Sequence, residues 1–217
     1  MAEKGRIRIT FDVAFLILGW LVQIITFILA PTHWLSLVSG LFGITSVILC
    51  SQGKISTFFF GFAQIITYTG LCWMERFYAG IAMNVFYFAS QIYGIFSWRR
   101  NMQGAETIQP RHLSRLSLFT LIAAIVFLSS LVGLILARYT DDTQPYLDAL
   151  TTVPAIAAQI LMVLVYREQW YFWLAIDVLY VIMWIAAGNW SMAAQYAFWC
   201  ANCIYGLRKW RTTIVAG

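Results

Sequence analysis

The chain is short of charge. Only 11% of its 217 residues are Asp, Glu, Lys or Arg, whereas 61% are hydrophobic and the mean hydropathy is +0.76. Soluble domains carry about 25% charged residues, so a water-soluble core is excluded and the bilayer has to act as solvent. Histidine is scarce too: His33 and His112 both lie between apolar runs and are poor candidates for catalysis. No Lys or Arg falls in the central part of any apolar run. A buried phosphate needs such a partner or several helix N-termini, which argues for a neutral or cationic solute. His-Glu-x-x-His, Gly-x-Ser-x-Gly and phosphate-cradling loops are absent, removing the commonest hydrolase and nucleotide-binding signatures. Cys50, Cys72, Cys200 and Cys203 all sit in apolar runs; Cys200-x-x-Cys203 has a redox or metal spacing but no second pair and no nearby His, and reads as helix packing. The first apolar run is too long for a cleavable signal peptide and lacks an Ala-x-Ala exit.

What the chain does have is long apolar runs. A transmembrane helix needs about 20 apolar residues, and eight segments qualify: 12–30, 33–51, 55–74, 77–98, 114–137, 145–166, 169–187 and 190–210. Several connections are short enough to force antiparallel hairpins. With the N-terminus placed in the cytoplasm, twelve Lys and Arg fall inside and only Arg76 and Arg138 outside. That asymmetry is the positive-inside bias, so both termini are expected in the cytoplasm. The net charge of +5 is then a topology signal, with no nucleic-acid footprint.

The two halves echo each other at a fixed spacing of 112 residues. Ile92-Tyr93-Gly94-x-x-x-Trp98-Arg99 is matched by Ile204-Tyr205-Gly206-x-x-x-Trp210-Arg211, and Tyr68 falls on Tyr180 and Tyr87 on Trp199. Spans two to four form one unit and spans six to eight the other. The single span between them restores the direction of the second copy, so the units run parallel. The expected fold is therefore all-α and integral to the membrane: eight transmembrane helices, an extra N-terminal helix plus a 3+1+3 parallel repeat, as in the SWEET sugar transporters. Its parts are an extra helix (1–31), a first triple-helix unit (32–100), a cytoplasmic loop and linker helix (101–143) and a second triple-helix unit (144–211).

Polar residues inside the spans mark a candidate site. Asp177 lies mid-span, where a carboxylate costs about 2.5–3.5 kcal/mol on insertion scales. It shares one helix stripe with Trp170, Trp173, Tyr180 and Trp184 at steps of three and four. Gln195, Trp199, Asn202 and Gly206 share a stripe on span eight; Asn84, Tyr87, Gln91, Gly94 and Trp98 share one on span four; Gly61, Gln64 and Tyr68 share one on span three. A single intramembrane amide is ordinarily an interhelical hydrogen bond worth about 0.6 kcal/mol. Four such stripes together suit a solute that is both aromatic and polyhydroxylated: amides and a carboxylate read hydroxyls and a carboxamide, while indoles and phenols stack on a flat ring. The substrate-binding set is then Gln64, Tyr68, Asn84, Tyr87, Gln91, Trp173, Asp177, Tyr180, Trp184, Gln195, Trp199 and Asn202. No metal or cofactor is expected. Gly94 and Gly206 read as close helix packing, and Trp98 and Trp210, beside Arg99 and Arg211, as interfacial anchors at the cytoplasmic face.

Trp170-x-x-Trp173-x-x-x-Asp177, Asn84-x-x-Tyr87-x-x-x-x-x-x-Gly94 and Gly206-x-x-x-Trp210 resemble the signature segments of the PnuC family, the bacterial nicotinamide riboside transporters. The resemblance spans roughly residues 33–211. It implies facilitated diffusion of the vitamin across the inner membrane by alternating access, trapping inside by a cytosolic nucleoside kinase, and a homotrimer with one pathway per protomer. Relatives that carry thiamine or riboflavin leave the vitamin open. A proton-coupled nucleoside symporter using Asp177 is a second transport reading; a membrane enzyme is disfavoured because no cluster combines nucleophile, base and metal.

Overall fold

The computed structural model describes residues 2–31, 33–76 and 78–215, and side chains from Phe11 to Thr212 apart from Ala79. Met1, Thr32, Phe77 and the last two residues lie outside the described residues, as do the side chains of Lys4, Arg6 and Arg8 on which the orientation partly rests. The described residues form eight helices: α1 (Ala2–Leu29), α2 (Trp34–Ser51), α3 (Thr57–Met74), α4 (Tyr78–Met102), α5 (Arg115–Tyr139), α6 (Pro145–Val163), α7 (Gln169–Ala186) and α8 (Trp190–Val215). Among the described residues the extended pairing is confined to one bridge, Arg111 with Tyr166. An all-helical solution follows from the composition, because in lipid every backbone N–H and C=O must be satisfied within the segment.

Six helices, α1, α2, α3, α5, α6 and α7, are long and apolar enough to cross a membrane. Helices α4 and α8 are the longest of the polar-striped ones at 25 and 26 residues, and they run past the expected ends because Arg99, Arg100, Arg208, Lys209 and Arg211 are good helix formers. Those basic tails and the inward amides lower their mean hydropathy. Helix starts are marked by local chemistry. His33 Nδ1 accepts the Leu35 N–H at 3.2 Å to cap α2, and Ser114 Oγ accepts the Ser117 N–H at 3.1 Å to cap α5. Pro145 opens α6, where its missing N–H costs nothing.

The turns after α2 and α6 are built alike, 112 residues apart. Gly53 and Val165 both adopt left-handed backbone, at φ +70° and +66°. Their N–H groups bond Cys50 O at 2.9 Å and Met162 O at 3.0 Å, and the next N–H groups, of Lys54 and Tyr166, bond Leu49 O and Leu161 O. Glycine takes that conformation freely; a β-branched valine does not, so Val165, 1% exposed, is held there by its surroundings. The segment after α4 straps the two turns together: Ile108 N–H donates to Gly53 O at 3.0 Å, and Arg111 N–H to Val165 O at 2.8 Å. Asn101 pins the strap through both backbone groups of Gln109.

Trp98 and Trp210 are the centre of the packing, which corrects the expectation that they anchor the chain at the membrane interface. They are 0% and 2% exposed. Trp98 Nε1 on α4 donates to Met162 O on α6 at 3.0 Å, while Trp210 Nε1 on α8 donates to Cys50 O on α2 at 3.1 Å. The bonds cross between the halves, donors and acceptors each 112 apart. The rings meet edge to face, 6.0 Å between centroids, and each has its own aromatic neighbour, Phe58 for Trp98 at 5.0 Å and Trp170 for Trp210 at 5.7 Å. Gly94 and Gly206, one turn earlier on the same faces, admit those neighbours: an added Cβ would sit 2.5 Å from Phe58 and 2.5 Å from Trp170. Helix periodicity, not the adjacent arginine, decides where these indoles point.

Trp98→Phe or Trp210→Phe keeps a ring in the core but removes one of the two hydrogen bonds to the Met162 or Cys50 carbonyl, at about 0.5–1.5 kcal/mol each. Thermal melting of the detergent-purified protein should fall for both, whereas Tyr93→Phe on the exposed face of α4 should leave it unchanged.

Candidate solute-binding cavity

Above the crossed tryptophans, α2, α3, α4, α6, α7 and α8 enclose a cavity of about 400 Å³, within the range of small-molecule sites. Nine of the twelve residues singled out in the sequence line it: Gln64 and Tyr68 from α3; Asn84, Tyr87 and Gln91 from α4; Trp173 and Asp177 from α7; Trp199 and Asn202 from α8. The structure does not bring the other three to the wall. Tyr180 stacks behind it on Tyr196, 4.7 Å between centroids. Trp184 has a buried indole N–H without a partner, further along α7. Gln195 turns away toward α1, where its Nε2 donates to Gln23 Oε1 at 2.8 Å. α1 is held at its other end by Asp12, which takes a 2.6 Å ion pair from Lys209 and a hydrogen bond from the Tyr205 hydroxyl.

Sequence reasoning missed several wall residues. Gln159 of α6, Gln169 of α7 and Tyr196 of α8 line the cavity, as do the hydroxyl residues Ser46 and Thr57. Gln169 lies one turn before Trp173 and two before Asp177, so extending that stripe backwards reaches it. Tyr196 lies three residues before Trp199, on the same face. Gln159 continues the buried row Thr151, Ala155 on α6. Trp170, a member of the α7 stripe, is also at the wall.

The polar groups differ in what they are free to do. Asn84 Nδ2 donates to Thr69 Oγ1 at 3.0 Å, and Gln159 Nε2 to Ser90 Oγ at 2.8 Å. Ser46 and Thr57 exchange hydroxyl bonds with each other and with each other's carbonyls. Asn202, 0% exposed, accepts the Ser51 hydroxyl at 3.2 Å, while its Nδ2 has no partner. Trp170 Nε1 is buried without a partner as well, whereas the Gln169 side chain lies against the Cys50 thiol. Asp177 accepts the Cys203 thiol at 3.4 Å and belongs to neither ion pair found among the described residues. Among the described residues it is the one acid at the wall, and no Lys, Arg or His lines it. The four cysteines are free, and no His, Cys, Asp and Glu cluster among the described residues has a metal-holding arrangement.

An all-helical bundle with spans of this kind around a partly open polar and aromatic cavity is the build of a multi-pass membrane transporter. Residues 33–212 match the family described as nicotinamide mononucleotide transporter. The nicotinamide riboside transporter PnuC of Haemophilus influenzae is 34% identical over 204 residues, 92% of this chain and 89% of that protein. The one of Neisseria mucosa is 28% identical over 211 residues, 92% of this chain and 80% of that protein. The crystal structure of the vitamin B3 transporter PnuC superposes with a TM-score of 0.77 at 27% identity, covering 95% of this chain and 92% of that one. The chain belongs to the PnuC family of membrane transporters.

Replacing Gln195 with Leu strands the buried Gln23 amide, at about 1–3 kcal/mol. The melting temperature should drop. Ligand affinity, measured on the same preparation, should stay within about twofold, because the pair does not line the cavity.

Proposed function

We propose that this chain carries nicotinamide riboside across the bacterial inner membrane by facilitated diffusion. One observation carries the choice of solute: among the described residues the cavity wall holds a single carboxylate, Asp177, and no basic side chain. Nicotinamide riboside is a pyridinium cation with a ribose diol and a carboxamide. Asp177 suits its charge or its hydroxyls, and the indoles of Trp170, Trp173 and Trp199 suit its flat ring. The mononucleotide adds a phosphate, which this wall would meet with a carboxylate and no counter-charge. The names of the relatives point to the same riboside.

Residues Gln64, Tyr68, Asn84, Tyr87, Gln91, Trp173, Asp177, Trp199 and Asn202 are the proposed contact set, with Tyr180, Trp184 and Gln195 supporting it from behind. The proposed architecture is eight spans: the extra helix 1–31, two parallel triple-helix units at 32–100 and 144–211, and the linker at 101–143. The crossed, equally spaced tryptophan bonds and the matched turns support that repeat. Lys54, Arg99, Arg100, Arg111, Arg167, Arg208 and Arg211 gather at the end where the strap lies, and Arg76 and Arg138 at the other. The positive-inside bias then puts the strap and both termini in the cytoplasm. Rocking of one unit against the other would expose the cavity alternately. A homotrimer, and trapping of the riboside by a cytosolic nucleoside kinase, are what the family resemblance adds.

Calorimetry with nicotinamide riboside, its phosphate, thiamine and riboflavin tests the solute. The riboside should bind at least about tenfold tighter than the phosphate, and Asp177→Asn should weaken the riboside by about the same factor. Tighter binding of thiamine or riboflavin would replace the vitamin in this reading. Uptake into sealed vesicles without any ion gradient tests the mode; failure to equilibrate there, with uptake restored by a proton gradient, would mean a symporter.

A further inference from the structure

Six helices close a ring around the cavity: α2, α3 and α4 of the first half and α6, α7 and α8 of the second. The halves meet along two seams, α2 with α8 and α4 with α6. The seams are counterparts in the 112-residue repeat and are bonded alike. The first holds Trp210 to Cys50 O and Ser51 to Asn202; the second holds Trp98 to Met162 O and Gln159 to Ser90. The two helices outside the ring treat these seams differently.

α1 lies across the α2–α8 seam and packs on both helices. Gly19 lets it in: an added Cβ would sit 2.6 Å from Phe198 of α8 and 2.8 Å from Ile44 of α2. Those two side chains belong to one apolar cluster with Ile48, Phe15, Leu16 and Val22, drawn from all three helices. Gln23, 7% exposed, accepts from Gln195 Nε2 of α8, and its amide covers Gly40 of α2 so closely that no Cβ fits there. Trp20 Nε1 donates to Thr45 Oγ1 of α2 at 3.1 Å, and Asp12 holds Lys209 and Tyr205 of α8. From Asp12 to Gln23 the ties run along about 16 Å of helix. α5 does nothing comparable. Among the described residues it packs on α6 and on no other helix. The residues 112 on from Gly19 and Gln23 are Leu131 and Ile135, 42% and 46% exposed. One seam is thus fastened by a third helix, and its counterpart is not.

We propose that α1 makes the α2–α8 seam a hinge, with Gln23 as the residue that pins it, so that the halves part along the α4–α6 seam when the cavity opens. Parting the α2–α8 seam would strand the Gln23 and Gln195 amides and split the Phe198–Ile44 cluster. Parting the other breaks only the bonds the two seams share. Hinge closure concentrates motion where the fewest contacts resist it. The inference rests on the alternating-access reading and adds which side of the bundle moves.

The experiment measures distances between two spin labels on the full chain in lipid nanodiscs, with and without saturating nicotinamide riboside. The labels are carried on p-acetylphenylalanine, which leaves the native cysteines in place. One pair replaces Trp34 and Trp190, at the starts of α2 and α8. The other replaces their repeat counterparts Tyr146 and Tyr78, at the starts of α6 and α4. All four side chains are exposed. The Tyr78–Tyr146 pair should give a broad or two-peaked distribution that the riboside shifts by more than about 2 Å. The Trp34–Trp190 pair should give one narrow peak that stays where it is. Gln23→Leu should broaden that peak. Equal movement of both pairs, movement of Trp34–Trp190 alone, or a peak that stays narrow in Gln23→Leu would overturn the hinge and leave alternating access standing. Two narrow peaks that the riboside leaves unmoved would sink the rocking motion and this inference with it. Should Gln23→Leu not bind the riboside, Trp20→Phe with Asp12→Asn takes its place; loss of binding there too makes α1 part of the binding fold and overturns its assignment as a hinge.

Discussion

Two hydrogen bonds that cross between the halves of the chain organise everything above them. Trp98 reaches from α4 to a carbonyl at the end of α6, and Trp210 from α8 to one at the end of α2. The acceptors, Met162 and Cys50, are themselves cavity-lining residues, so the cavity begins where the tryptophans stop. A buried indole N–H usually finds a partner, and Cys50 O and Met162 O, which already take the Gly53 and Val165 N–H groups, each have a second lone pair to offer. Each half therefore bonds a last-turn carbonyl of the other. Phe58 and Trp170 complete the edge-to-face cluster, and the strap ties the flanking turns through Gly53 and Val165.

The framework is matched at a spacing of 112, but the cavity wall is not. Val47 falls opposite Gln159, Ile65 opposite Asp177, Thr57 opposite Gln169, and Ser90 opposite Asn202. In all four pairs the second half supplies the longer or the only hydrogen-bonding side chain. The first half answers with Gln64 and Asn84, opposite Ile176 and Tyr196. A matched wall would suit a solute with its own two-fold symmetry. This wall puts its acid and its unpaired donors on α7 and α8, so it can tell one end of a solute from the other.

How much of this could be read in the sequence depends on which signal was followed. Periodicity located the stripes, and it carried nine residues to one cavity. It also placed Trp98 on the inward stripe of α4 with Gly94 and Gln91, yet the neighbouring Arg99 suggested an interfacial anchor instead. The arginine occupies the next position round the helix and says nothing about the face its neighbour takes. Gln169 was passed over because it stands at a helix start, where polar residues ordinarily mark a boundary; here the first turn of α7 is already inside the bundle. Gln195 shows the reverse error. Its spacing to Trp199 is that of a wall residue, but α1 packs against α8 there and Gln23 takes the amide. No pattern within α8 encodes which neighbour an edge residue meets, because that is fixed by a helix 172 residues away in the chain.

The strength of the crossed bonds bears on how a solute could leave. Toward the strap, the way out of the cavity passes Cys50, Met162 and the tryptophan pair. A net hydrogen bond contributes about 1 kcal/mol, and an aromatic edge-to-face contact about 0.5–1.5 kcal/mol. Two bonds and one ring contact between Trp98 and Trp210 thus amount to about 3 kcal/mol, the size of gap that leaves a minor conformation populated at about 0.1–10%. Under the alternating-access reading that is the useful range. A much stronger lock would hold the cavity closed on this side, and a much weaker one would leave it open. The strap differs in kind, since its bonds join backbone to backbone at the turns, while Ile108 and Val165 pack in the same apolar cluster as the two indoles. Under the same reading, parting of the indoles would open the floor while the backbone bonds of Ile108 and Arg111 keep the two turns in register.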